Sequence, residues 1–378
     1  MKTAPRKFLV ALLAGVAALA FAIPAFAQQD GGGGPSAAQA TDEHVGAAAE
    51  SVLILGDTVS GGASSVEAQA AMAQGFSVDV VTSATWATMT GPQFASYRAI
   101  VFGDPTCSSS SSMWSAPLAN ASVWAPAVIG NMIVIGTDPV YHRGSHPGAN
   151  TLIAKGIAFA AGAPGKTGFY ANTSCATTNA ADILNVVGGG WVSAAAGCED
   201  TIHIVATNPF LLGLTDADLS NWSCSVHAFF TSWPSSFIPI AIDTDAPPLY
   251  TSPDGSAGTP YILGRGEGLS STNILLAPET QTVNVGGTAT LTALVQFGGT
   301  PIEGTAVTFT VLSGINAGFS GVALTDAGGI ATFTYTNDLP GTDEFEASFV
   351  NPNAITEHSN KVVVNWEGEI VLSPRFTG

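Results

Sequence analysis

The sequence predicts an α/β unit built on a parallel sheet, followed by an all-β sandwich. Two patterns predict it. Up to about residue 270 the apolar residues fall in short unbroken runs, Val52-Leu53-Ile54-Leu55, Ala99-Ile100-Val101-Phe102 and Met132-Ile133-Val134-Ile135, and Val78 to Val81 reads as a further strand. Strands covered on both faces read this way. After about residue 270 the period becomes two. Ala289, Leu291, Ala293 and Val295 alternate with threonines, and so do Val307, Phe309 and Val311 and again Ala331, Phe333 and Tyr335. Strands with one face in a core and one in water show this alternation.

The chain opens on an export signal. Lys2, Arg6 and Lys7 precede an apolar run from Phe8 to Ala22, and Ala25-Phe26-Ala27 offers the small-x-small pattern of a cleavage site. Cleavage is expected after Ala27. A membrane anchor needs about 20 apolar residues, and Pro24 interrupts this run. Residues 28–48 read as a flexible linker, because Gly31 to Gly34, Pro35 and the Ala/Gln/Thr stretch cannot bury a core. No later segment has the length and apolarity of a membrane span.

The α/β unit is expected over residues 49–270. Ser64-Ser65-Val66-Glu67 has the form of a capping box, and Gly75 follows the helix it would start over Ala68 to Ala73. Asn150 to Ala161 has helical spacing. Strands alternating with helices imply parallel pairing. Phe237 to Ile242 and Tyr261 to Leu263, around a Pro/Asp/Gly-rich turn, read as a closing hairpin. The sandwich is expected over 272–367, with turns at Gly286-Gly287, Gly298-Gly299, Asp326 to Gly329 and Pro340-Gly341, and a tail over 368–378.

Composition narrows the partners. The leader carries three of the ten basic residues and none of the 28 acidic ones. The remainder has seven cations against 28 anions, a net of −21. Such a chain repels nucleic acid and anionic lipid. Charged residues are only 10% of the sequence, so Ser, Thr, Asn and Gly supply the polar surface.

The C-terminal segment resembles a known family. Val283-Asn284-Val285-Gly286, Thr290-Leu291-Thr292-Ala293, Pro301-Ile302-Glu303-Gly304, Val307 to Val311, Thr325 to Gly329, Ala331 to Tyr335 and the ending Asn360 to Trp366 resemble, in order, the bacterial Ig-like group 1 domain of intimin and invasin. The resemblance implies an immunoglobulin-like spacer or display module of a secreted or surface-attached protein, without an active site. The α/β unit resembles the flavodoxin-like fold of class I glutamine amidotransferases and their trehalose-utilisation-like relatives. Its opening strand and helix, its strand-end turns and His203 to Pro209 running into Gly213-Leu214-Thr215 carry that likeness.

That second resemblance implies a Cys–His pair, which the residues fit incompletely. Gly103-Asp104-Pro105-Thr106-Cys107-Ser108 lacks the Gly-x-Cys-x-Gly elbow, and His227-Ala228-Phe229 lacks His-x-Glu. Cys107, His227 and Asp104 are the catalytic candidates, and a non-catalytic binding or adhesion head is the favoured expectation. Four cysteines, Cys107, Cys175, Cys198 and Cys224, in an oxidising compartment suggest two disulfides. The shortest loop favours Cys175–Cys198, leaving Cys107–Cys224, with the other connectivities open.

Three aspartates follow strand ends: Asp57, Asp104 and Asp138. In a parallel sheet they share the edge where ligands bind. Their hard oxygens suit Ca²⁺ or Mg²⁺. Alternatively each orders a βα turn, the reading favoured by Pro105 and Pro139. His142 and His146 are candidates for ligand contact or a plain surface loop. A zinc pair at that spacing needs a helix, which Gly144 and Pro147 oppose. His203 reads as a core-edge residue. The aromatic stretch Trp222 to Trp233 could line a carbohydrate cleft or pack around a disulfide, the latter favoured. A carbohydrate or other cell-surface ligand is thus the expected partner.

Overall fold

Val52 and Ile54 point to one side of their strand, and Leu53 and Leu55 to the other, and all four are fully buried. The unbroken apolar run therefore feeds two cores, one on each face of a sheet. The computed structural model describes residues 50–103, 111–173 and 180–368. The expected leader and linker, the tail beyond 368, Asp104, Cys107 and Cys175 lie outside the described residues.

The first sheet uses β1 (Ser51–Leu55), β2 (Ser77–Val81), β3 (Ala99–Phe102), β4 (Val128–Ile135) and β5 (Thr167–Asn172). A small ribbon pairs β6 (Val192–Ala195) with β8 (Ala228–Ser232), and β7 (Ile202–Ile204) lies between them in sequence. Then come β9 (Ile238–Asp243), β10 (Tyr250–Thr251) and β11 (Ala257–Arg265). The strand order is β2-β1-β3-β5-β4-β11-β9-β7, with β10 on β11. The first five run parallel, while β11, β9 and β7 add antiparallel pairs. The sheet is therefore mixed rather than purely parallel, and the expected hairpin is its antiparallel extension.

One face packs on the helices Val66–Ala73 and Pro147–Ala160. The second helix begins three residues before the expected Asn150, with Pro147 in its first turn. Ser65 rather than Ser64 caps the first helix, accepting from the Ala68 amide. The other face buries a cluster of rings, Trp86, Phe94, Phe102, Trp114, Trp124 and Phe169, with centroids 4.6–5.8 Å apart.

The second half is an immunoglobulin-like sandwich. One sheet holds β12 (Ile274–Ala277), β14 (Thr288–Phe297), β15 (Thr300–Pro301) and β18 (Ile330–Thr336), which pairs with β14. The other holds β13 (Thr280–Asn284), β16 (Ala306–Gly314), β17 (Ser320–Leu324), β19 (Gly341–Val350), β20 (Thr356–His358) and β21 (Val362–Glu367). The alternate apolar residues of both sheets meet in one core that includes Leu291, Val307, Phe309, Phe333, Phe345 and Val364. At one end of this core the buried Asp343 carboxylate accepts from the Tyr335 hydroxyl, from Trp366 Nε1 at 3.0 Å and from Asn316 Nδ2 at 2.8 Å. These bonds meet the buried carboxylate's need for donors.

The two halves meet through polar groups. His203 on β7 bridges Asp216 (Nδ1–Oδ2 2.7 Å) and Asp254 (Nε2–Oδ2 2.9 Å). Asn273 donates to Asp254 at 3.1 Å and to Glu357, and Asn351 donates to Glu357 at 2.9 Å. Gln296 on β14 donates to the Ala206 carbonyl, and Phe297 packs on the His203 ring. No helix among the described residues is long and apolar enough to cross a membrane.

Candidate functional site

β4 ends in Gly136-Thr137-Asp138-Pro139, and the chain turns at once into a one-turn helix, Pro139–His142. Pro139 in its first turn presets the helical φ where an amide has no intrahelical partner. Asp138 occupies the N-cap position, but its carboxylate does not cap the helix. The i,i+4 spacing instead places Asp138 and His142 on one side of the turn, with Oδ1 and Nε2 3.1 Å apart.

A third group arrives from the segment before β8. His227 and Ala228 both donate their amides to the Gly136 carbonyl, at 3.0 and 2.8 Å. This bifurcated contact draws His227 over the end of β4. A Cβ at residue 136 would stand 2.1 Å from the Ala228 carbonyl oxygen, so only glycine permits the approach. His227 Nε2 lies 3.1 Å from Asp138 Oδ1 and 3.4 Å from His142 Nε2. Two imidazole nitrogens and one carboxylate oxygen thus form a triangle at the C-terminal edge of the parallel strands.

The surroundings fix this triangle. The disulfide Cys198–Cys224 ties down the segment three residues before His227. Asp200 accepts from the Ser225 amide and hydroxyl, both at 2.9 Å. The Trp222 ring packs on His142 and stacks on His146. The side chains of Asp138 and His142 are 2% and 8% exposed, whereas that of His227 is 21% exposed, so the site opens to solvent past His227. Burial, with His227 and His146 nearby, lowers the His142 pKa against an opposing pull from Asp200. That direction favours the neutral imidazole, the form in which histidine ligates metals. Asp138, His142 and His227 are the described residues placed to hold a metal ion together.

Several sequence expectations change here. Asp57 does not join Asp138. The strand order sets β3 and β5 between β1 and β4, so the two strand ends are three strand spacings apart, about 14 Å. Asp57 is exposed and accepts from the Ser83 hydroxyl. The three-aspartate set suited to Ca²⁺ or Mg²⁺ is therefore not assembled as expected. The Asp138 segment was expected to be a turn, and His142 part of a loop; instead one helical turn joins them. His146 falls beyond that helix, at the N-cap of Pro147–Ala160, with its ring centroid 6.1 Å from that of His142. Cys198 pairs with Cys224, not with Cys175, so the pairing favoured by loop length is wrong. Chain folding brings β6 and β8 together, and the two cysteines with them. Trp222, Phe229 and Phe230 are buried, which leaves no sugar-stacking face on those three rings. His203 is a buried bridge at the junction of the two halves.

No family model and no curated protein matches this chain. Among solved structures it is similar to a C-terminal 282-residue fragment of intimin, determined with the intimin-binding domain of the translocated intimin receptor. That pair is 26% identical over 25% of this chain and 32% of the fragment, with a TM-score of 0.19. The chain thus spans about a third of that fragment's length. It is also similar to the D0–D1 domain of intimin, at 14% identity over 47% of this chain and 91% of that one, with a TM-score of 0.20. A third similarity is to the PKD domain of an M14-like peptidase from a Thermoplasmatales archaeon, at 16% identity, 25% and 91% coverage and a TM-score of 0.19.

Proposed function

We propose that this chain is an exported binding protein whose α/β head captures a carbohydrate or other cell-surface ligand at the strand edge, while the sandwich spaces or presents it. The observation that carries the reading is the convergence of Asp138, His142 and His227 at the C-terminal edge of the parallel strands, where open α/β sheets bind ligands. The incomplete Cys–His motif supports binding over amidotransferase chemistry, because His227 lacks the following glutamate. The signal-like N-terminus and the order of Ig-like motifs from Val283 to Trp366 support export and display.

The test is a binding screen of the chain from Gln28 onward against immobilised glycans and purified extracellular proteins. Saturable binding that His227→Ala abolishes, and that His358→Ala on the sandwich leaves intact, is the expected outcome. A silent screen together with turnover in a hydrolase panel, lost on His227→Ala, would replace this reading with an enzyme using the same edge.

A further inference from the structure

The donor set at the strand edge carries more information than its position. Resting on the reading of this edge as the binding site, we infer that Asp138, His142 and His227 hold one Zn²⁺ ion, and that the head engages its ligand through the ion's remaining coordination position.

Geometry supports an ion of this size. The three donor atoms are 3.1, 3.1 and 3.4 Å apart. With metal–ligand bonds of about 2.05 Å, these edges subtend about 98°, 98° and 112° at a common centre lying about 0.9 Å out of the donor plane. Those angles are close to tetrahedral. The donor separations are thus those of a tetrahedral zinc site, and three such donors leave one position for water or an exogenous group.

Donor chemistry selects the class of metal. Two imidazoles and one carboxylate match zinc and its first-row neighbours. Ca²⁺ takes six to eight oxygens, and Mg²⁺ demands near-octahedral oxygen coordination. Zn²⁺ has no redox chemistry, so, unlike iron or copper, it keeps one valence in the oxidising compartment in which a Cys198–Cys224 disulfide is stable. His227 is the most exposed of the three, so a fourth ligand would enter from its side. A group that enters there must offer a lone pair to the metal, so the ligand class is an oxygen donor, a carboxylate or a vicinal diol.

The protein elements also look built for the purpose. Gly136 permits the backbone contact that delivers His227. One helical turn sets the Asp138–His142 spacing. The disulfide and Asp200 restrain the segment that carries the third ligand. Such supporting contacts are what keep a metal site in register.

The experiment uses the tag-free chain from Gln28 onward, stripped with a chelator and titrated calorimetrically with ZnCl₂, CaCl₂ and MgCl₂. The expected result is one Zn²⁺ per chain and no saturable heat from either alkaline-earth ion. His142→Ala and His227→Ala should each weaken Zn²⁺ binding by roughly 100-fold or more, because an open three-ligand site keeps only two protein bonds. His358→Ala should bind as the parent does. Should either site variant fail to fold, Co²⁺ added to the parent decides: visible d–d bands of tetrahedral intensity support the assignment, and an aquo-ion spectrum overturns it. No Zn²⁺ uptake by the parent, or undiminished uptake by both folded histidine variants, also overturns it. The two readings fail separately. A zinc-loaded chain with a silent ligand screen keeps the ion and sinks the binding-protein reading. Ligand capture by the stripped chain overturns engagement through the ion and leaves the binding-protein reading standing.

Discussion

Gly136 shows how much one missing methyl group decides. Its carbonyl accepts two amides from the chain that carries His227, and the room for that contact exists because nothing projects from its α-carbon. Gly136→Ala would force the end of β4 and the start of β8 apart. We expect it to cost about 1–3 kcal/mol, the usual penalty of overpacking a fitted interior, read from urea unfolding. The same variant should weaken Zn²⁺ binding by about tenfold or more, since a ligand displaced by even half an ångström loses bond overlap. A variant that unfolds earlier yet binds zinc undiminished would separate the glycine from the site. At this scale the sequence was informative about which residues matter: Asp138 and His142 stood out from their positions after a strand, and His227 as the histidine that an amidotransferase-like Cys–His pair would use. It was silent on their meeting. Asp138 and His142 are four apart behind a proline, a spacing that one helical turn converts into contact, but Gly144 and Pro147 argued against any helix there. Both break the chain only after the turn is complete.

The element that positions His227 is a long connection stapled across its base. Cys198 and Cys224 are 26 residues apart, and closing a loop of that length stabilises the folded chain by about 3.5 kcal/mol in the chain-entropy model. The double variant Cys198→Ser/Cys224→Ser should lower stability by on the order of 3 kcal/mol. It should also speed proteolytic cleavage within residues 198–226, measured by limited digestion with mass-spectrometric mapping. Unchanged digestion would show that Asp200 and the buried Trp222 hold the connection without the staple. Loop length alone favoured Cys175–Cys198. The reason it misled is physical: β6 returns to pair with β8, and that antiparallel register aligns the flanking cysteines. Period-two alternation, by contrast, reported the sandwich strands directly. Each inward residue from Ala289 to Val295 lies in the shared core, because one-sided burial leaves its record in the sequence.

On the scale of the whole molecule, the junction between the halves is built on a charge. Burial pulls the His203 pKa down, but its hydrogen bonds to Asp216 and Asp254 and their negative charges outweigh this and raise it to about 9. The same histidine, with Ser252 and the Ser256 amide, holds the buried Asp254 carboxyl below its ordinary range against the upward push of burial. An imidazole near 6.5 when unfolded and about 9 when folded contributes its full stabilisation below about pH 6.5 and loses it as pH rises through about 9. The contribution is on the order of 3 kcal/mol. Thermal unfolding of the parent should therefore fall between pH 7 and 10 by more than that of His203→Gln, which has no proton to lose. Parallel slopes for the two would remove His203 from the account. None of this junction was legible beforehand. His203 read as the edge of a core, since the partners that charge it lie 13 and 51 residues away in sequence and the surrounding asparagines come from the far half.

That junction also dictates where a mechanical load would travel. Tension applied to the sandwich enters the head along the backbone that joins β12 to β11, and through the contacts of Asn273 and Asn351 with Asp254. β11 pairs directly with β4, the strand that leads into Asp138. A pull on the sandwich is therefore delivered to the strand beside the one that leads into the candidate site, and not to the outer edge of the sheet.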